Sequence, residues 1–136
     1  MALASSRPRW VGILLLVVMA LEVLVYLGAA VLHLGVRGRF GPVVLAVPNA
    51  IPAATIVETI LGLAVGANLV AGLRGLARSR TITIGVHFFA LVGVSLGMVA
   101  LALRFGPPPG PDWTLHYVML AGIAAAIALA LIRTDQ

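Results

Sequence analysis

Four long apolar runs, set apart by short polar or proline-rich stretches, organise this chain. The first extends from Trp10 to Val36 and contains a single charge, Glu22. The second lies within Phe40 to Leu73, where Glu58 is the only charge; Pro42, Pro48 and Pro52 confine its helix to about 52–73. The third, Ile82 to Leu103, and the fourth, Trp113 to Ile132, carry no formal charge. About 20 predominantly apolar residues cross a bilayer core as a helix, so each run is long enough to span. None shows the alternation over about 10 residues that a transmembrane strand requires. The expected fold is all-α: a polytopic transmembrane four-helix bundle with short loops, forming one integral membrane domain over 1–136. Its helices are expected at about 10–35, 52–73, 82–104 and 113–132. The first run is twice the length of a signal-peptide core and has Glu22 inside it, so it is read as a span, with a cleaved signal as the alternative.

The connections have distinct characters. Arg74 to Arg80 is short and basic, which makes the second and third helices antiparallel neighbours. Gly106 to Pro111 is too rich in proline for a helix and reads as a stiff elbow, followed by Asp112 as an N-cap and Trp113 at headgroup level. The stretch from Arg37 to Ile51 is apolar and β-branched but interrupted by proline; it reads as a linker in the interface or, alternatively, as a flap over the mouth of the bundle. With the N-terminus in the cytoplasm, Arg7, Arg9, Arg74, Arg78, Arg80 and Arg133 lie inside, and Arg37, Arg39 and Arg104 outside. That bias predicts a multi-pass protein of the cell membrane with both termini cytoplasmic.

Composition agrees with the pattern: 62% of the 136 residues are apolar and 10% charged, whereas soluble domains run nearer half and a quarter. The basic residues are nine arginines with no lysine, which together with abundant Ala, Gly, Val and Leu reflects GC-rich, bacterial-type coding. A net charge of +5 does not indicate nucleic acid, because the arginines sit between apolar runs rather than on one folded face. No cysteine is present, which removes disulfides, thiolate metal sites and cysteine nucleophiles. No nucleophile elbow, His-Glu-x-x-His, P-loop or dinucleotide fingerprint occurs. The halves show no convincing internal repeat of the kind secondary transporters carry.

Lipid tails are as apolar as leucine, so helices associate in a membrane through close packing and polar contacts. Gly62 and Gly66 on the second helix and Gly93 and Gly97 on the third form GxxxG pairs, and Gly122, Ala126 and Ala130 continue the spacing on the fourth. These are the expected packing faces, against the alternative that Ala- and Gly-rich composition produced them. Glu58 falls on the small-residue face of its helix.

The intramembrane polar residues are the only chemistry available. A charge at mid-bilayer costs about 2.5–3.5 kcal/mol on insertion scales, so each requires an explanation. At 1.5 Å per residue, Glu22 lies about 18 Å beyond Trp10, Tyr26 about 6 Å further, and His33 near the outer interface, all on one stripe. Glu58 lies about 9 Å, and His116 about 5 Å, below the outer ends of their helices. Tyr26, His33, Glu58 and His116 are therefore expected in one outer-leaflet layer on three helices, with Glu22 deeper. Asn68 and His87 come to similar heights near the inner side and are expected to pair. The bland reading of both groups is hydrogen-bonded glue between helices. The sharper reading of the outer layer is a ligand or proton site, for a lipophilic small molecule or protons. A third reading is haem or a divalent metal on the two histidines and a carboxylate, without a haem-attachment motif to support it. Taken together, the sequence describes a small four-span protein, non-enzymatic, acting by binding or as a partner subunit within the bilayer. The alternative is a transporter-like or cofactor-binding protein using the outer layer. No cofactor is expected on the first reading. The partners are the lipid bilayer, a second copy or another membrane protein, and a lipophilic small molecule.

Overall fold

The computed structural model describes residues 9–47, 51–74, 79–106 and 110–132. Four helices, α1 (Trp10–His33), α2 (Pro52–Leu73), α3 (Ser79–Phe105) and α4 (Pro111–Ile132), account for almost all of it. A two-stranded hairpin, β1 (Gly38–Phe40) and β2 (Val43–Leu45), joins α1 to α2. All four helices are long and apolar enough to cross a membrane, and the chain is an integral membrane protein on that basis. The helices run up and down in a square: α1 packs on α2 and α4, and α3 on the same two, so α1 faces α3 across a diagonal. One end of the bundle carries the hairpin, His33, Pro52, Phe105 and Asp112; the other carries Trp10, Leu73, Arg80 and Ile132.

The surface is inverted relative to a soluble bundle. Leu24 on α1, Leu63 on α2, Phe88 on α3 and Leu131 on α4 are all more than half exposed, as expected where lipid is the solvent. The interior is a narrow column around Leu15, Met19, Leu61, Val65, Val94 and Ile123, into which buried polar side chains are inserted.

Helix ends differ slightly from expectation, and the differences matter. α1 stops at His33 rather than 35, because Gly35 takes the left-handed conformation (φ 86°) that ends many helices. α3 starts at Ser79 rather than 82, so the polar pair Ser79-Arg80 forms its first turn. Pro111 occupies the first helical position of α4, where a missing N–H costs nothing, and Asp112 is therefore inside the first turn instead of capping it. The segment 37–51 contains a hairpin that the proline had obscured. Gly41 (φ 59°) and Pro42 form a two-residue turn, with Phe40 opposite Val43. Val43, Val44 and Leu45 are exposed. The proline elbow at 107–109, the loop residues 75–78, Arg7 and Arg133 lie outside the described residues.

Candidate buried polar site

Glu22, Tyr26 and His33 are all buried on α1, at spacings that keep them on its inner stripe. From this stripe the polar groups separate into two clusters, one at mid-bundle and one at the hairpin end.

At mid-bundle, Glu22 Oε2 lies 2.8 Å from His87 Nε2, so the contact crosses the α1–α3 diagonal. His87 Nδ1 donates to the Thr83 carbonyl one turn back, at 2.7 Å. A carbonyl can only accept, so Nδ1 carries a proton and a second proton is shared between Nε2 and Oε2. Gly122 on α4 makes room for the carboxylate: a Cβ there would stand 2.9 Å from Glu22 Cγ. Asn68 Nδ2 donates to Thr83 Oγ1 at 3.0 Å. The expected Asn68–His87 pair is thus replaced by Asn68–Thr83 and His87–Glu22. The cause is the earlier start of α3, which sets His87 almost a turn deeper, level with Glu22, and brings Thr83 opposite Asn68.

Tyr26 belongs with this cluster and not with the outer layer. Helical side chains lean toward the N-terminus of their helix. Tyr26 accordingly shares a small crevice between α1 and α4, about 230 Å³, with Glu22, and does not line the larger cavity above. Neither its hydroxyl nor Glu22 Oε1 has a hydrogen-bond partner among the described residues.

At the hairpin end, His33 Nδ1 lies 2.8 Å from Glu58 Oε2, linking the last residue of α1 to the second turn of α2. The crossing is fixed by two further bonds, Ile51 N–H to the His33 carbonyl (3.0 Å) and Thr55 Oγ1 to the Ala30 carbonyl (3.3 Å). On the other side of the ring, His33 Nε2 faces Asp112 Oδ1 at 3.9 Å, too far for a hydrogen bond, and both atoms are buried without a partner among the described residues. His116, one turn beyond Asp112, donates from Nδ1 to the Asp112 carbonyl at 2.7 Å. Its Nε2 rests over Gly97 on α3, 2.9 Å from where a Cβ would be.

These groups surround a cavity of about 380 Å³ between α2, α3 and α4. Glu58, His33 and His116 contribute to its wall, and Arg104 joins them from the last turn of α3. The rest of the lining is almost wholly apolar, with Leu61, Gly93, Val94 and Met119 among it. Ile51 is the one residue of the α1–α2 connection that lines it among the described residues. The expected layer therefore comes together as His33, Glu58 and His116, with Tyr26 removed from it.

Of the packing glycines, Gly62 is as tight between helices as Gly97, since a Cβ there would lie 2.9 Å from Leu27 Cδ2 and 3.2 Å from Tyr26 Cβ. Gly93 sits against Leu61 at 3.2 Å, and Gly66 meets only Val23, at an ordinary 3.7 Å. Four contributors escaped sequence reasoning: Thr83, Asp112, Arg104 and the seating role of Gly122. A signal existed for two of them, because Thr83 and Asp112 stand four residues before a histidine, where a carbonyl can take Nδ1. Among the described residues, no group of three His, Asp or Glu side chains is placed to hold a metal ion. No protein family, curated protein or solved structure matches this chain.

Proposed function

We propose that this protein is a non-enzymatic binding protein of the cell membrane whose site is the hairpin-end cavity. Its ligand is a lipophilic small molecule carrying a polar head. The observation that carries the reading is the wall itself: an apolar hollow the size of a small ligand, with a few convergent polar side chains at one level. The reading also accounts for buried polar groups kept at a depth where apolar residues would insert more easily. Both termini are assigned to the cytoplasm on the arginine bias, which turns the cavity toward the outer leaflet.

A photoreactive, diazirine-bearing hexadecanol tests the site in phosphatidylcholine nanodiscs. The expected result is labelling concentrated on peptides covering 53–61 and 93–105, where α2 and α3 line the cavity. Filling the wall with Ala54→Trp removes this labelling, whereas Leu63→Trp, which faces lipid, leaves it intact. Uniform labelling along all four helices, unchanged by Ala54→Trp, refutes the reading. For orientation, a cysteine at Arg39 is expected to react with an impermeant thiol reagent on intact cells, and one at Ser79 only after permeabilisation.

A further inference from the structure

The mid-bundle cluster shows what the second ring nitrogen of a buried histidine is used for in this protein. His87 spends Nδ1 on the carbonyl four residues back and Nε2 on the Glu22 carboxylate. His116 repeats the first half of that arrangement, with Nδ1 on the Asp112 carbonyl at the same 2.7 Å. The second half is missing. Its Nε2 has no partner among the described residues and lies against Gly97, which lines the cavity with it, and the residue is only 6% exposed. The carboxylates nearby do not serve it. Glu58 on α2 is bound to His33 on α1, and Asp112 Oδ1 is directed at His33 Nε2. The remaining charge at the cavity is Arg104 on α3, whose guanidinium lies 5.2 Å over the Phe105 ring and has no carboxylate within ion-pair distance among the described residues.

From this we infer that the ligand supplies the carboxyl group His116 lacks: the cavity takes a long-chain carboxylic acid, its head on His116 Nε2 and its chain along the apolar wall between α2 and α3. The inference rests on the cavity being a binding site and names its substrate class. Since Nδ1 already holds a proton against a carbonyl, neutral His116 offers a lone pair at Nε2. A carboxylic acid donates its O–H to that lone pair. The same proton can pass to nitrogen, breaking O–H and forming N–H, to leave an imidazolium–carboxylate pair. A charge-assisted bond of this kind is about twice as strong as a neutral one, and an ester cannot make it at all. Arg104 at the mouth favours an anionic head over a cationic one.

The test compares diazirine-bearing hexadecanoic acid with the matching hexadecanol in phosphatidylcholine nanodiscs. The acid is expected to label 93–105 at least about ten-fold more strongly than the alcohol. Oleic acid should compete where methyl oleate and phosphatidylserine do not. His116→Gln is expected to reduce acid labelling to the level of the alcohol. Nitrogen NMR of the histidine-labelled wild type provides a readout independent of any variant: oleic acid should move the His116 Nε2 resonance to the protonated or strongly hydrogen-bonded position. Equal labelling by acid and alcohol, a preference for acid that survives His116→Gln, or an unmoved Nε2 resonance overturns the inference while leaving the cavity reading in place. Competition by phosphatidylserine as effective as by oleic acid overturns the assignment to a free acid. If neither probe favours the cavity, the binding-site reading itself fails.

Discussion

His87–Glu22 and His33–Glu58 are both imidazole–carboxylate pairs at 2.8 Å, and both are buried. What surrounds them differs. At mid-bundle both ring nitrogens are bonded, the carboxylate is wedged against Gly122, and the contact ties together two helices that lie diagonally across the bundle. At the hairpin end the pair joins neighbouring helices already held by Ile51 and Thr55. There His33 Nε2 is left without a partner among the described residues, and a cavity opens beside it. The chemistry is the same, but the first pair behaves as a cross-brace and the second as a wall with reserve capacity. In a membrane, where apolar burial does not hold helices together, a polar group becomes structural when every alternative partner has been packed away.

The largest effect should come from breaking the brace. His87→Leu leaves the Glu22 carboxyl without the one hydrogen-bond partner it has among the described residues. Breaking a buried pair from one side costs about 3–5 kcal/mol. Unfolding of purified protein in mixed micelles should show a loss of that order, and Glu22→Leu added to His87→Leu should restore most of it. His33→Leu, by contrast, leaves Glu58 beside a cavity and should cost less than half as much. Equal losses at the two histidines would erase the distinction between brace and wall.

Two glycines sharpen the same comparison at intermediate size. A Cβ at Gly122 meets Glu22 Cγ, and one at Gly97 meets His116 Nε2, each at 2.9 Å. Glu22 is held from the far side by its bond to His87, which a displacement would strain, so Gly122→Ala is expected to destabilise by about 1–3 kcal/mol, the usual cost of overpacking. The His116 ring borders open volume, and Gly97→Ala should displace it at about 1 kcal/mol or less, measured in the same unfolding assay. A larger loss at Gly97 than at Gly122 would mean that His116 is the rigid element.

How much of this was legible in the sequence depends on which physical quantity each feature rests on. The four spans follow from run length and hydropathy alone, so their existence survives errors of a few residues at each end. The His33–Glu58 contact follows from depth and face on helices whose facing ends, His33 and Pro52, are punctuated by Gly35 and the proline itself. Asn68–His87 did not survive, because a contact between antiparallel helices depends on where both start. Ser79 and Arg80 look like loop residues yet begin α3, and the resulting shift of nearly a turn exchanged His87 for Thr83. Tyr26 was placed by the height of its Cα, whereas a long side chain reaches the level of the preceding turn. Asp112 was read as a cap because acidic residues favour that position, but Pro111 had already taken the first helical place. The hairpin was missed for a similar reason. Gly41-Pro42 is a turn signal, and reading its proline only as an interruption hid the strands on either side.

The smallest expected effect is the one that most directly distinguishes wall from brace. Glu58→Gln keeps the volume of the side chain and an amide able to bond His33 Nδ1, so little packing changes. Polar pairs between membrane helices average about 0.6 kcal/mol, and the substitution retains part of that. The Ile51 and Thr55 bonds to α1 are untouched, and the α1–α2 crossing should hold. Stability is therefore expected to fall by no more than about 0.6 kcal/mol in the micelle unfolding assay. Glu22→Gln should cost more, because a neutral amide replaces a shared-proton contact that spans the diagonal of the bundle. Labelling by the photoreactive acid gives the functional counterpart. If Glu58 contributes to the cavity as a wall group, Glu58→Gln changes the yield on 93–105 while the protein stays folded, and Glu22→Gln leaves the yield per folded molecule unchanged. Should Glu58→Gln unfold the protein as readily as His87→Leu, the hairpin end would be a second brace.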